Sequence, residues 1–281
     1  MLKALIVTVA YNPPTSLLDN LQVDYYPHMV VDNSEQETIW LRDYCAEHNH
    51  VYQWLGDNLG IAKALNVGAE YAIENGFDYI VTMDQDSRLI NLLLKQLSDY
   101  IANYTSKNNV AIFSPRHINE GVDLHQIKAE VTNDFYAMSS GNFLNLSIWK
   151  QIGKFNEQLF IDMVDVEYYV RALIAGYQVL TVQRITMLHH MGHNSHIRWV
   201  GKYGFDVWNH SKIRKYYQAR NFWYVYNKYH QKLPQLIFIK KMIRKMPISI
   251  FLFEKDKLSK LYYYLRGYID YLRGKLGKIY F

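Results

Sequence analysis

The chain has 281 residues, 49% of them hydrophobic and 15% aromatic, which supplies a core and excludes a disordered chain. Its one cysteine, Cys45, excludes an internal disulfide and fits a reducing cytoplasm. The formal charge of +5 hides an asymmetry, because residues 210–281 carry 17 Lys/Arg against 3 Asp/Glu while residues 1–209 carry 14 against 23.

An acidic body and a basic tail are therefore expected, with the boundary near residues 200–212. The length suits one large α/β domain, or a domain of about 200 residues with an appendage. No signal-peptide pattern opens the sequence and no run of about eighteen uncharged apolar residues occurs, so neither secretion nor a spanning helix is expected. Internal repeats and low-complexity segments are absent from the sequence.

Leu2 to Ala10 reads as a buried strand that breaks at Tyr11-Asn12-Pro13-Pro14, with Ser16 as the cap of a helix reaching about residue 22. Met29 to Val31 gives a second strand ending in Asp32-Asn33-Ser34, and a helix follows over about 36–48. Asp32 is suited to pairing with the ring N–H of a uracil or thymine, with Thr8 at the end of the neighbouring strand; a turn or cap role is the alternative for both. Val51 to Trp54 is a third short strand. After it, Gly60 opens a helix whose first N–H groups favour an anion such as a diphosphate. Ala62, Ala64, Gly68 and Ala69 on that helix permit close packing against a sheet, and Lys63 is either near a phosphate or simply solvated.

Tyr79 to Met83 is an apolar, β-rich run that ends in Asp84-Gln85-Asp86. Open α/β sheets collect ligands where strands end, and side chains at i and i+2 of an extended segment point the same way. Two carboxylates so placed suit Mg2+ or Mn2+, and such a metal commonly holds a phosphate as well; an acidic turn capping the next helix is the alternative. A helix over about 90–103 and a strand over 110–114 come next. The turn Ser139-Ser140-Gly141-Asn142 then leads into another strand and is either an ordinary turn or a polar opening for a sugar.

Met163 to Ala175 has apolar residues at helical spacing and stops at Gly176, which clusters Asp162, Asp165 and Glu167 near a helix N-terminus. Such a position favours acidic side chains through the helix dipole, so capping competes with catalysis there. Glu167 and Arg171 are spaced as a helical ion pair. A strand over 179–187 ends at His189, His190 and His193, whose spacing is not that of a zinc site. In the tail, aromatic and basic residues interleave, as in Arg214-Lys215-Tyr216-Tyr217 and Arg220-Asn221-Phe222-Trp223, which suits an anionic membrane surface or packing on the preceding domain. No RNA-binding signature accompanies it, and no nucleic-acid partner is expected.

Taken together, Thr8-Val9-Ala10-Tyr11-Asn12-Pro13, Val31-Asp32-Asn33, Asn58 to Asn66, Asp84-Gln85-Asp86 and Val164-Asp165-Val166-Glu167 resemble, in this order, glycosyltransferase family 2. Within it the chain looks most like the bacterial rhamnosyltransferases. It differs at Val164, where many relatives carry Glu. The resemblance implies an α/β fold of the GT-A type, a Rossmann-like mixed sheet flanked by helices, over residues 1–205, with a basic, aromatic, helical extension over 206–281. It implies an inverting transfer of a sugar, rhamnose from dTDP-rhamnose, to a growing lipid-linked bacterial surface polysaccharide, with Mg2+ or Mn2+.

The implied roles are donor binding by Thr8, Ala10, Tyr11, Asp32, Asn58, Gly60, Asn66 and Asp84, metal binding by Asp86 and His189, and general base catalysis by Asp165. Ser140, Gly141 and Asp162 are the acceptor-side candidates. A peripheral position on the inner face of the bacterial cell membrane follows from a lipid-linked acceptor, and self-association is left open. A nucleotidyltransferase shares acidic strand ends but would need a glycine- and lysine-rich phosphate loop that this N-terminus lacks. The remaining alternative is a non-catalytic, membrane-associated scaffold.

Overall fold

Every residue of Ala4–Ala10 is buried, and apart from Thr8 all are apolar, so this first strand (β1) can sit only inside a sheet covered on both faces. The computed structural model describes residues 2–118, 130–133, 137–188, 196–200, 203–207 and 209–280. The chain divides into two units, Met1–Asn156 with Tyr168–His189, and Glu157–Glu167 with His190–Phe281.

In the first unit β1 is followed by a 3-10 turn (Thr15–Leu17), α1 (Leu18–Leu21), β2 (His28–Asp32), α2 (Ile39–Glu47) and β3 (Val51–Trp54). Then come α3 (Ile61–Glu74), β4 (Tyr79–Asp84), α4 (Asn91–Asn103), β5 (Val110–Ile118), β6 (Val131–Asn133), β7 (Asn142–Asn145) and α5 (Leu146–Ile152). Helix α6 (Val164–Ile174), part of this unit from Tyr168 onward, leads into β8 (Gln178–Leu188). The expected cap at Ser16 is corrected: Ser16 lies inside the 3-10 turn, and Pro14 precedes the turn without a side-chain cap. Pro14 is held extended at φ −74° and ψ 157°, so the chain turns two residues earlier than the sequence suggests.

The eight strands form one mixed sheet in the order β3-β2-β1-β4-β7-β5-β8-β6. Strands β3, β2, β1 and β4 run parallel, while β7 is antiparallel to both β4 and β5. Helix α3 packs on β1, β2 and β4, and Gly68 is required there because a Cβ would collide with Val7. Leu93, Leu94, Leu97 and Ile101 of α4 share a core with Ile6, Val81 and Phe113. Adjacent residues of a strand face opposite ways, so Val7 and Ile6 place α3 and α4 on opposite faces of the sheet. The α/β class expected from alternating strands and helices is what forms.

The second unit holds a hairpin of β9 (His196–Val200) and β10 (Tyr203–Val207), followed by α7 (Lys212–Tyr229), α8 (Ile237–Phe253) and α9 (Lys257–Leu272). Helix α7 is the buried axis, with Tyr216, Tyr217, Arg220, Asn221 and Val225 all inaccessible to solvent. Helix α9 packs against it so closely that a Cβ on Gly267 would collide with the Tyr216 carbonyl. Three buried charges join α7 to α9: Glu254 binds Lys215 at 2.6 Å and Lys260 at 2.9 Å. Among the described residues no helix is long and apolar enough to cross a membrane.

Candidate active site

Because β1, β2 and β4 are parallel, their C-terminal ends lie along one edge of the sheet, and three polar segments emerge there: Tyr11-Asn12, Asp32-Asn33-Ser34 and Asp84-Gln85-Asp86. They are tied together by hydrogen bonds. The Tyr11 amide donates to Gln85 Oε1 at 2.7 Å, and Gln85 Nε2 returns a bond to the Tyr11 carbonyl at 3.1 Å. The Asn12 amide donates to Ser34 Oγ at 2.8 Å, with Asn12 itself at φ 44°. Gln85, the residue between the two acids, is thus a strut between strand ends. Its side chain could not be assigned from spacing, since its partner is 74 residues away.

Asp32 is wholly buried, and its carboxylate accepts from the Ser34 amide (3.0 Å), the Thr38 amide (3.0 Å) and the Tyr52 hydroxyl (2.7 Å). Burial pushes its pKa up, but these donors outweigh it and hold the group below the ordinary carboxylate value. Thr8 is also buried, and its hydroxyl has no hydrogen-bond partner among the described residues. Ala10 closes β1 beside Asp32 in register. Asn33 donates to Asn58 Oδ1 at 3.1 Å and accepts from the Leu59 amide at 2.8 Å, while Asn58 also accepts from the Gly60 amide at 3.1 Å. Gly60 then enters α3 at φ 89°, a conformation that favours glycine. Asn66 lies inward on α3 and exchanges two hydrogen bonds with the Phe155 backbone at 2.9 and 3.0 Å.

At the end of β4, the Asp84 amide meets Ser140 Oγ at 3.3 Å and its carboxylate lies 3.5 Å from Ser139 Oγ. The turn before β7 is pinned to β4 by the Gly141 amide, which donates to the Thr82 carbonyl at 2.7 Å. Gly141 has φ 77°, and a Cβ there would press on Met187 Sδ. The expected polar turn and the acidic strand end are therefore neighbours. Ser140 is itself buried, and its carbonyl accepts from His117 at 2.7 Å; exposed polar groups at this edge include those of Asp86, Tyr11 and Asn12.

Asp84 is half-buried and Asp86 exposed, and two such carboxylates offer the hard oxygen donors that Mg2+ or Mn2+ prefers. Among the described residues no three His, Cys, Asp or Glu side chains converge. The donor chemistry fits a cation that completes its shell with water and diphosphate oxygens, as Mg2+ commonly does. His189, the remaining metal-side candidate, lies outside the described residues, as do His190 and His193.

In the second unit the acidic centre lies where α6 begins. Phe160, Asp162 and Met163 have φ of 65°, 61° and 69°, an unusual run for residues other than glycine. The Asp162 carboxylate accepts from Arg214 Nε at 3.1 and 3.3 Å. Asp165 stands in the first turn of α6 and accepts from the Val166 amide at 2.8 Å. Burial pushes its pKa up to about 6; Asp162 adds to the rise, and the Val166 amide and Arg214 oppose it. A carboxylate with that pKa is ionised at neutral pH yet basic enough to accept a proton. Glu167 accepts from the buried Tyr229 hydroxyl at 2.5 Å, and Arg171 donates to the carbonyls of Ile152 and Lys154, each at 2.7 Å.

Comparison with known proteins accords with this architecture. No family model matches the chain. The dTDP-rhamnosyl transferase RfbF of Shigella flexneri is 31% identical over 298 residues, spanning 96% of this chain and 96% of that protein. TarS of S. aureus in complex with UDP-GlcNAc has a TM-score of 0.59 at 14% identity, over 98% of this chain and 82% of that one. GalNAc-T7 with UDP, GalNAc and Mn2+ has a TM-score of 0.54 at 14% identity, over 67% of this chain and 44% of that one. The two structures establish the GT-A fold, and the full-length likeness to RfbF establishes the rest: the chain is a glycosyltransferase that belongs to family 2, among the bacterial rhamnosyltransferases.

Proposed function

We propose that the enzyme moves rhamnose from dTDP-rhamnose, with inversion, onto a lipid-linked saccharide of a growing bacterial surface polysaccharide. The observation that carries this is the 31% identity to a dTDP-rhamnosyl transferase over nearly the whole of both chains. The alternatives of a nucleotidyltransferase and of a non-catalytic scaffold predict no transfer of a sugar.

In this reading the sheet edge takes the nucleotide. Thr8, Ala10, Tyr11, Asp32, Asn58, Gly60, Asn66 and Asp84 form or support the donor site, and the unpartnered Thr8 hydroxyl favours a ligand contact there. Asp32 would give up one of its protein donors to read a base, or act by holding the Ser34 turn that flanks it. Asp84 and Asp86, with His189, would hold Mg2+ or Mn2+, which supplies charge to offset the leaving diphosphate. Asp165 takes the proton of the acceptor hydroxyl as it attacks the anomeric carbon, and the pKa of about 6 suits that task near neutral pH. Asp162, Ser140 and Gly141 are the acceptor-side residues of this reading.

A peripheral site on the inner face of the cytoplasmic membrane follows from a lipid-linked acceptor. It is supported by an apolar stripe on α9, where Leu258, Tyr262, Leu265, Ile269 and Leu272 are 84%, 60%, 57%, 43% and 63% exposed. Arg266, Arg273 and Lys275 accompany this stripe in the sequence, and the acid of the helix, Asp270, is buried and accepts from Tyr216 at 2.9 Å. The test is a screen of nucleotide sugars with Mn2+, reading nucleoside diphosphate release with and without a saccharide primer. Turnover of dTDP-rhamnose above UDP-sugars is expected, and a preference for any UDP-sugar would overturn the donor assignment.

A further inference from the structure

Between the 3-10 turn Glu157–Leu159 and α6 the backbone takes a course that neither helix nor strand can stabilise, with three non-glycine residues in the left-handed region. Carbonyls in such a segment have no ladder to join, and buried ones must find donors elsewhere. Two adjacent side chains of α7 provide them. Asn221 Nδ2 lies 2.8 Å from the Leu159 carbonyl, 2.7 Å from that of Ile161 and 3.0 Å from that of Asp162. Arg220 Nη2 donates to the carbonyls of Leu159 (3.0 Å) and Gln158 (3.3 Å), and its Nη1 to that of Gly277 (2.7 Å).

The pair is also internally locked. Arg220 Nε donates to Asn221 Oδ1 at 2.9 Å, which leaves the amide nitrogen facing the three carbonyls. The guanidinium lies over the rings of Tyr217 and Tyr216, at 4.9 and 5.6 Å from their centres, and both residues of the pair are fully buried. Burying a guanidinium is costly, and both terminal nitrogens of this one donate to main-chain carbonyls, four of the five contacts of the pair with the 158–162 segment being within 3.0 Å. The same helix holds the segment at a further point, through Arg214 on the Asp162 carboxylate, and holds the first turn of α6 through Tyr229 on Glu167.

We propose that Arg220 and Asn221 are positioning residues for the general base: by fixing the carbonyls of residues 158–162 they set where α6 begins and so where the Asp165 carboxylate stands. The proposal rests on the assignment of Asp165 as the base. A base must be held within narrow limits of the proton that it accepts, and a displacement of about 1 Å can cost on the order of 10²-fold in rate. A segment with three left-handed residues would not keep that geometry unaided.

The experiment compares Asn221→Ala, which removes the amide without adding charge, and Arg220→Lys, which keeps the cation but loses the fork, with wild type. Three quantities are read: kcat for transfer to an acceptor, donor Kd by calorimetry, and the acid limb of the kcat–pH profile. Expected for Asn221→Ala is a fall in kcat of about tenfold or more, donor Kd within about twofold of wild type, and an acid limb displaced from its wild-type position. A merely structural role would lower the melting temperature and leave the acid limb of the folded fraction in place. Arg220→Lys carries the same expectation and decides the matter if Asn221→Ala does not fold. Wild-type kcat and acid limb in the folded variants, beside an inactive Asp165→Asn, overturn the positioning role alone; wild-type turnover in Asp165→Asn instead removes the assignment on which it rests.

Discussion

The Tyr52 hydroxyl donates to Asp32 Oδ2 at 2.7 Å, so the last residue of β2 is held by a side chain from β3 as well as by the turn that follows it. Asp32 keeps its charge in a site that excludes water because donors surround it. Its pKa is lowered on folding, so the stability that it contributes is present above its unfolded value and is lost as pH falls through the folded one. Tyr52→Phe removes one donor to a charged acceptor and is expected to cost about 1.5–3 kcal/mol at pH 7. Urea unfolding at pH 7 and at a series of acidic pH values tests this, since the difference from wild type should shrink as pH falls through the lowered folded value of Asp32.

Asp165 gives the opposite sign. Its pKa is raised to about 6, so its contribution to stability is full below the unfolded value and is lost as pH rises through about 6. In the proposed mechanism transfer needs Asp165 ionised, and kcat should rise through the same range. Asp165→Asn is therefore expected to lower turnover by roughly 10²-fold or more while matching or exceeding wild-type stability at pH 7.5. Turnover and thermal melting in one buffer measure both; an Asp165→Asn enzyme that works at the wild-type rate would move suspicion to Asp162 or Glu167.

Asp86 is exposed at the end of β4, and replacing it should not disturb the fold. Asp86→Asn removes a charged oxygen donor, so donor affinity measured with Mn2+ should fall while affinity without metal stays the same. Calorimetric titrations with and without the cation make the comparison. Equal metal dependence in the variant and wild type would rule out Asp86 as a ligand.

Membrane contact is best tested on the exposed face of α9 and not by truncation. The other face of that helix, with Lys260, Tyr264, Gly267 and Asp270, is buried, and deleting it would strip α7 of its cover. Leu265→Glu with Ile269→Glu removes apolar area and adds negative charge, and should lower partition onto anionic vesicles by about tenfold or more. Donor hydrolysis should be unaffected. Co-sedimentation at low and high salt checks it, and undiminished binding would place the contact on another surface.

Glu254 neutralises two buried ammonium groups, Lys215 at 2.6 Å and Lys260 at 2.9 Å, and Lys260 also reaches Asn209 Oδ1 at 2.6 Å. Burial holds the Lys215 pKa below its ordinary value despite the partner. Glu254→Gln leaves both cations without a counter-charge and is expected to cost about 3–5 kcal/mol. Equilibrium unfolding in urea measures the loss; a change under about 0.5 kcal/mol would mean that the site hydrates or rearranges.

Much of the sheet could be read in the sequence, since a buried strand must be apolar along its length and a strand end must be polar. Ala4–Ala10, His28–Asp32 and Tyr79–Asp84 largely obey this, and the acidic ends of the latter two follow from it. Gly60 and Gly176 were legible for a related reason, because each takes φ 89° where other residues are disfavoured. The short helix α5 and the β9–β10 hairpin carry no such signature. Helix α5 is a seven-residue element capped by Asn145, and the hairpin's five-residue strands follow a histidine-rich stretch of the sequence.

The basic tail shows where composition stops being informative. Lysine and arginine are usually solvated, yet Lys215, Arg220 and Lys260 are buried because Glu254 and a row of loop carbonyls meet them, partners that lie between 6 and 62 residues away. By itself the sequence determined the α/β order of elements, the family and the acidic strand ends, all of which depend on local pattern. Only the tertiary structure decided which carboxylates are enclosed by donors of the fold, as Asp32 and Asp270 are, and which stay open to solvent, as Asp86 does. That choice depends on which donors converge on each oxygen, and donors distant along the chain leave no trace in local spacing.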